Sequence, residues 1–208
     1  MYQRMRRHRS FQVIRQYFKD EFQHSVYVSD CYAAQLKASA KAHQLCIAHL
    51  LRELLNFEKN LRSAWSVRMK DLLMRAWNLK KAMTADDYRP PPQEVTSINT
   101  QLDELLTVDE SGFNKKEQAL VRRLRKHRTG ILTFLHHEYV PPDNNASERA
   151  IRNVKVKTKV SGQFRNAVGK GADRYAKIRS VIDTTIKNGQ DVYAALICLS
   201  NCKKMTTE

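Results

Sequence analysis

Apolar positions along the chain recur mostly at helical spacing. In residues 10–22, SFQVIRQYFKDEF, the positions Phe11, Ile14, Tyr17 and Phe18 fall on one helix face. Ser25–Asp30, SVYVSD, breaks that period: it is a short β-branched and aromatic run ending in an acid, and it reads as a buried strand. Tyr32–Ala42 is alanine-rich and helix-competent, and Gln44–Ile47, QLCI, is a second short apolar run. Leu50, Leu51, Leu54 and Leu55 then mark a helix from Ala48 to Lys59. Trp65, Met69, Leu72, Leu73, Ala76, Trp77 and Leu79 mark a longer one from about Leu61 to Met83.

Arg89-Pro90-Pro91-Pro92 is the sharpest punctuation in the chain. Beyond it, Ile98, Leu102, Leu105 and Leu106 predict a helix that ends around Ser111-Gly112. Lys115–His137 reads as one basic helix with Leu120, Leu124, Ile131, Leu132 and Leu135 toward a core, stopped by Pro141-Pro142. Two late helices follow, at about Ala172–Lys187 with Gly189 as its C-terminal cap, and at Val192–Cys202. Strand, helix, strand and a mostly helical remainder make an α/β chain, predominantly helical. It has too few strands for an ordinary sheet of its own.

Composition narrows the class. The chain has 208 residues, 42% of them hydrophobic, which is too many for a disordered basic tail. No apolar run approaches the 18 residues of a membrane span, and MYQRMRRHRSFQ lacks the apolar stretch of a secretory signal. Four cysteines are too few for a disulfide scaffold and favour a reducing, cytoplasmic setting. Charge is the strongest signal: 37 Lys+Arg against 21 Asp+Glu give +16, pointing to a polyanionic partner, most simply nucleic acid. The excess is uneven, 17 − 13 = +4 over residues 1–110 and 20 − 8 = +12 over 111–208. From Arg149 to Arg179 ten basic residues meet one acid, Asp173, whereas a solvated helix face usually mixes both signs.

Two acids stand where chemistry is possible. Asp30 ends an apolar strand, where open α/β sheets place ligand-binding groups; a turn or helix-capping role suits it as well. Glu148 lies in PPDNNASERAIRN, where Asn145 and Glu148 have capping-box spacing and Glu148 and Arg152 the spacing of an i,i+4 pair. Brought together, two carboxylates suit Mg²⁺, a hard ion that prefers oxygen ligands. Two such ions about 4 Å apart clamp the attacking and leaving oxygens of phosphoryl transfer.

The segments VYVSDCYAAQ, CIAHLLREL and PPDNNASERAIRNVKVKTKVSGQFRNAVGKGADRYAKIRSVIDTTIKNG resemble the catalytic core of insertion sequence 66 family transposases. The likeness covers most of residues 8–60 and 136–200, and the helical middle resembles the family mainly in character. It implies a ribonuclease-H-like fold with an Asp, Asp, Glu set that binds two Mg²⁺ or Mn²⁺ ions. Asp30 matches the second aspartate and Glu148 the glutamate. A helical insertion over about 61–135 accounts for their separation of 148 − 30 = 118 positions. The implied division is 1–60, the first part of the core (strand, helix, strand, helix); 61–135, the insertion; and 136–208, the Glu-bearing end of the core. Cys46 and His49 match a Cys-x-x-His signature that follows the second aspartate in several insertion-bearing transposases. The implied activity is cleavage at element ends and transfer of 3′ hydroxyls to target DNA. The implied partners are DNA, a full-length transposase or a second copy, in a bacterial cytoplasm.

The first aspartate has no match. Asp20 and Glu21 are the only acids before Asp30, and both precede the strand directly. The expectation is therefore a C-terminal piece of a transposase, inactive alone, with a non-catalytic DNA-binding remnant as the rival. Arg149, Arg152, Lys155, Lys157, Lys159 and Arg165 are the expected DNA contacts, and Cys46, His49, Asn144 and Asn145 the supporting residues. Cys46 and His49 alone are half a zinc site, with no second pair at finger spacing. Lys155, Lys157 and Lys159 alternate with apolar residues at a strand's period of two, while the resemblance lets the Glu148 helix run through them.

Overall fold

A computed structural model describes residues 11–18, 22–83, 88–161 and 170–202. Among them the protein is predominantly helical, with one two-stranded parallel sheet. The chain divides into two compact units, one of Ser10–Asn144 and one containing Asn145–Glu208.

The first unit opens with helix α1 (Phe11–Phe18), then β1 (Val26–Ser29) and β2 (Ala42–Leu45), paired parallel with Val26 opposite Ala42 and Ser29 opposite Leu45. β1 lies where its apolar run predicts it, while β2 sits two residues ahead of the run Gln44–Ile47, whose last residue already begins the next helix. The alanine-rich segment between them forms turns, with the Gln35 and Leu36 amides bonded to the Tyr32 carbonyl, and no helix. Parallel pairing explains this, because it draws Ala42 into β2 and leaves 12 residues for the whole crossover.

Helices α2 (Ile47–Leu61) and α3 (Ala64–Ala82) follow and pack on each other across a two-residue link. Arg62 takes the left-handed conformation (φ 50°) that ends α2, and Ser63 caps α3 by accepting from the Ser66 amide at 3.0 Å. Pro92 occupies the first turn of α4 (Pro92–Leu106), where a missing N–H costs nothing. Asn114 caps α5 (Lys115–Lys126).

The long basic helix predicted to His137 stops eleven residues early, and two short 3₁₀ turns follow at Arg128–Gly130 and Thr133–His136. The reason is burial: Gly130 to Leu135 are six consecutive buried residues, and an α-helix packed on one face buries only part of each turn. Irregular backbone lets this segment run along the free edge of β2. Gln44 donates to the Ile131 carbonyl (3.0 Å) and accepts from the Phe134 amide (2.7 Å), while Thr133 donates to the His43 carbonyl (2.7 Å). A side chain on Gly130 would crowd that carbonyl at 3.3 Å. A strand edge that would otherwise invite pairing is thereby covered. One hydrophobic cluster unites Leu45–Phe57, Trp65–Ala76, Ile98–Leu106 and Leu120–Leu135, so the helices share a core with the sheet.

The second unit contains α6 (Asn145–Ser161), α7 (Lys170–Lys187) and α8 (Val192–Cys202). Gly189, at φ +65°, provides the expected left-handed stop after α7.

Candidate functional site

Asp30 follows β1 directly, at the carboxyl end of the strand pair. Its Oδ1 accepts from the Tyr32 amide at 3.1 Å, so the turn-capping role is real. Oδ2 carries no hydrogen bond among the described residues, and the residue is half-buried.

Cys46 ends β2 at the same edge and is fully buried. Its amide bonds to the Ser29 carbonyl at 2.7 Å, continuing the ladder. Its sulfur lies 3.1 Å from His49 Nδ1 and accepts from the Asn144 amide at 3.5 Å. The neighbouring Ile47 amide donates to the Pro142 carbonyl at 2.8 Å. Cys46 and Ile47 therefore tie the start of α2 to the segment Pro142–Asn144, which comes from the far end of the unit. Asn144 Oδ1 is buried there with no hydrogen-bond partner among the described residues.

Sequence spacing did not reveal the neighbours of this edge. Cys31, next to Asp30, is pushed up to about 11; burial is the main cause, the Arg123 guanidinium opposes it, and Glu53, Asp30 and Cys46 add to it. Arg123 pairs with Glu53 across 70 residues of chain. Tyr27 is raised as well, by burial first and then by Asp30. Only the position of Cys31 after the acid hinted at this surrounding; nothing in the spacing links Arg123 to it.

Glu148 lies in the first turn of α6 and is half-buried. Asn145 is the first residue of that helix. Lys155, Lys157 and Lys159 belong to the same helix, so the strand alternative does not hold, and the period of two does not set their directions. At 100° per residue Glu148, Arg152, Lys155 and Lys159 share one face, Lys157 points to the opposite side, and Arg149 lies between. Arg149, Arg152, Lys155, Lys157 and Lys159 are all exposed. Arg165 lies outside the described residues, as do Gln163 and Phe164.

A family model, that of the Transposase IS66 family, matches residues 1–172. The chain belongs to the IS66 transposase family. The match takes in the helical middle together with both acid-bearing segments, and it ends just inside α7. The chain matches no curated protein and no solved structure. Transposases act on DNA, and those of the DDE type usually use a divalent metal. No helix among the described residues is long and apolar enough to cross a membrane.

The donors bear on that metal. Mg²⁺ and Mn²⁺ take oxygen ligands, and the strand edge offers two of that kind, Asp30 Oδ2 and the unpaired amide oxygen of Asn144. Cys46 and His49 suit softer ions and are already bonded to each other. Among the described residues no three His, Cys, Asp or Glu side chains group to hold a metal. The strand edge fits a share of the ligands and needs a further carboxylate.

Proposed function

We propose that the chain supplies the second aspartate and the glutamate of an IS66 transposase active site, built on a ribonuclease-H-like core with residues 61–135 as its insertion. The observation that carries this is the anchoring of Pro142–Asn144 on the turn after β2, beside Asp30. Glu148 is four residues further along the chain. In this reading Asp30 and Glu148 hold Mg²⁺ or Mn²⁺, with Asn144 and Asn145 beside them. When bound, the ions supply Lewis-acid charge at the attacked phosphodiester. Arg152, Lys155 and Lys159 grip the phosphates on the face that carries Glu148, with Arg149 at its flank. Lys157, on the far side of α6, and Arg165, outside the described residues, are further DNA contacts in this reading. The reaction is cleavage at element ends and joining of the freed 3′ hydroxyl to target DNA.

The inventory of acids favours a second, narrower role. In that role the chain binds DNA together with a full-length transposase or a further copy and does not cut alone. Affinity for duplex element ends against salt tests the shared part of both roles. The expected result is a log–log slope near −0.9 for each phosphate neutralised. Weak binding with no salt slope would overturn both. Cutting of the same DNA by the purified chain with Mn²⁺ would overturn the narrower one.

A further inference from the structure

Tyr139 is 89% exposed, about twice the exposure of Tyr32 at 47%, the next most exposed large apolar or aromatic side chain described in its unit. Its backbone is nonetheless held firmly. It occupies a turn closed by the Val140 amide on the His137 carbonyl at 3.2 Å. Before the turn, the Lys80 ammonium donates to the carbonyls of Phe134 (3.1 Å), His137 (2.7 Å) and Glu138 (2.7 Å). Tyr88 accepts from Lys80 at 2.9 Å and donates toward the carbonyls of Phe134 and Leu135. After the turn, Pro141 and Pro142 stiffen the chain, and Pro142 is bonded to Ile47. An aromatic ring presented to solvent from a backbone fixed on both sides is a preformed platform, and its two side-chain torsions are cheap to order.

We propose that Tyr139 stacks on an unpaired base of the DNA that the chain binds. This rests on the DNA reading above and adds to it the form of the substrate. Every base has a π face, so one exposed ring suits a base of any identity, but inside a duplex those faces are already covered by neighbouring bases. An unpaired base at a strand end or a distorted junction is the partner that fits. The place suits it: Tyr139 is three residues, at most about 10 Å of chain, from Pro142 at the edge that carries Asp30. The chain's net charge of +16 favours a polyanionic strand as that partner.

The test compares a fully paired duplex with the same duplex carrying a short 2-aminopurine overhang, titrated with wild-type chain, Tyr139→Ala and Tyr139→Trp. Tyr139→Ala is expected to lose about 10- to 100-fold in affinity for the overhang and the stacking change in 2-aminopurine emission. Its duplex affinity, salt slope and melting temperature stay at wild-type values, and Tyr139→Trp restores both lost signals. Equal loss on both DNAs, or no loss on either, would overturn the proposal. A changed sedimentation coefficient of DNA-free Tyr139→Ala would overturn it too, marking the ring as a protein contact. Wild-type chain that binds neither DNA would instead sink the underlying DNA reading, and this inference with it.

Discussion

The two compact units solve opposite problems with similar secondary structure. In Ser10–Asn144, 20 basic residues face 16 acidic ones, and the arginines of α5 and its exit are spent locally: Arg122 and Arg125 on Glu110, Arg123 on Glu53, Arg128 on Asp103. The same unit buries an extended cluster of Leu, Ile, Phe, Met and Trp. In Asn145–Glu208, 13 basic residues face 5 acidic ones, and the buried side chains described are small or polar: Ala176, Ser180 and Thr185. The lesson is a difference in balance: the first unit nearly offsets its charges internally, whereas the second carries a basic excess even though Arg179 pairs with Asp183.

Core truncation should separate the units most sharply. Leu73→Ala removes a fully buried side chain in the first unit and is expected to cost about 2–5 kcal/mol in urea unfolding. Ile186→Ala, at a position 57% exposed in the second, is expected to cost less than about 0.5 kcal/mol. Comparable losses at the two sites would break the comparison.

Charge should separate them in the other direction. The triple variant Arg152→Gln, Lys155→Gln, Lys159→Gln is expected to make the salt slope of DNA binding shallower by about 2.7, three contacts at 0.9 each, with the melting temperature unchanged. Arg128→Gln, which loses bonds to Asp103 and Asn99, should lower stability by about 1 kcal/mol or less and leave the slope alone.

Lys80→Met leaves the carbonyls of His137 and Glu138 without their donor and Phe134 with Tyr88 alone, and about 1–3 kcal/mol of stability should go with it. Loss of amide protection should concentrate at Val140 and Ile47, which that segment anchors.

The last effect is alkaline. Burial raises Tyr88 from 10.0 to about 12 and Cys31 from 9.0 to about 11, so both hold their protons longer folded than unfolded. Their contribution is full below pH 9 and is lost as pH climbs, through 9–11 for Cys31 and 10–12 for Tyr88. Lys80, lowered by burial, works the other way: the unfolded chain binds the extra proton, so its contribution grows as pH rises toward 10.5. Cys31→Ala should flatten the fall between pH 9 and 11 by at most about 2 kcal/mol, read from melts across that range.

Legibility in the sequence followed the reach of the interaction. Strand β1, the break at Pro90–Pro92, the stop at Gly189 and helix α8 are set by residues within a turn or two, and all were readable; β2 was read two residues late. The turns at 32–42 and the irregular run after Lys126 were not, because each answers to a distant partner: Ala42 to Val26, and Ile131 and Phe134 to Gln44. At the candidate site, Asp30, Cys46 and His49 stood out as motif residues. The contact of Asn144 with Cys46 joins positions 98 residues apart, and the burial of Cys31 depends on neighbours that no spacing displays. The alternation of Lys155, Lys157 and Lys159 imitates a strand, yet the flanking residues carry them as a helix.

The central claim is that Asp30 and Glu148 serve one divalent metal centre. Titrating ¹⁵N-labelled chain with Mn²⁺ tests it directly, since the ion broadens amide signals around its ligands. The account predicts that amides around Asp30–Cys31 and around Asn145–Arg149 fade together at one midpoint, and that Glu148→Gln abolishes both. Broadening at one segment alone, or at Asp30 unchanged by Glu148→Gln, would contradict it.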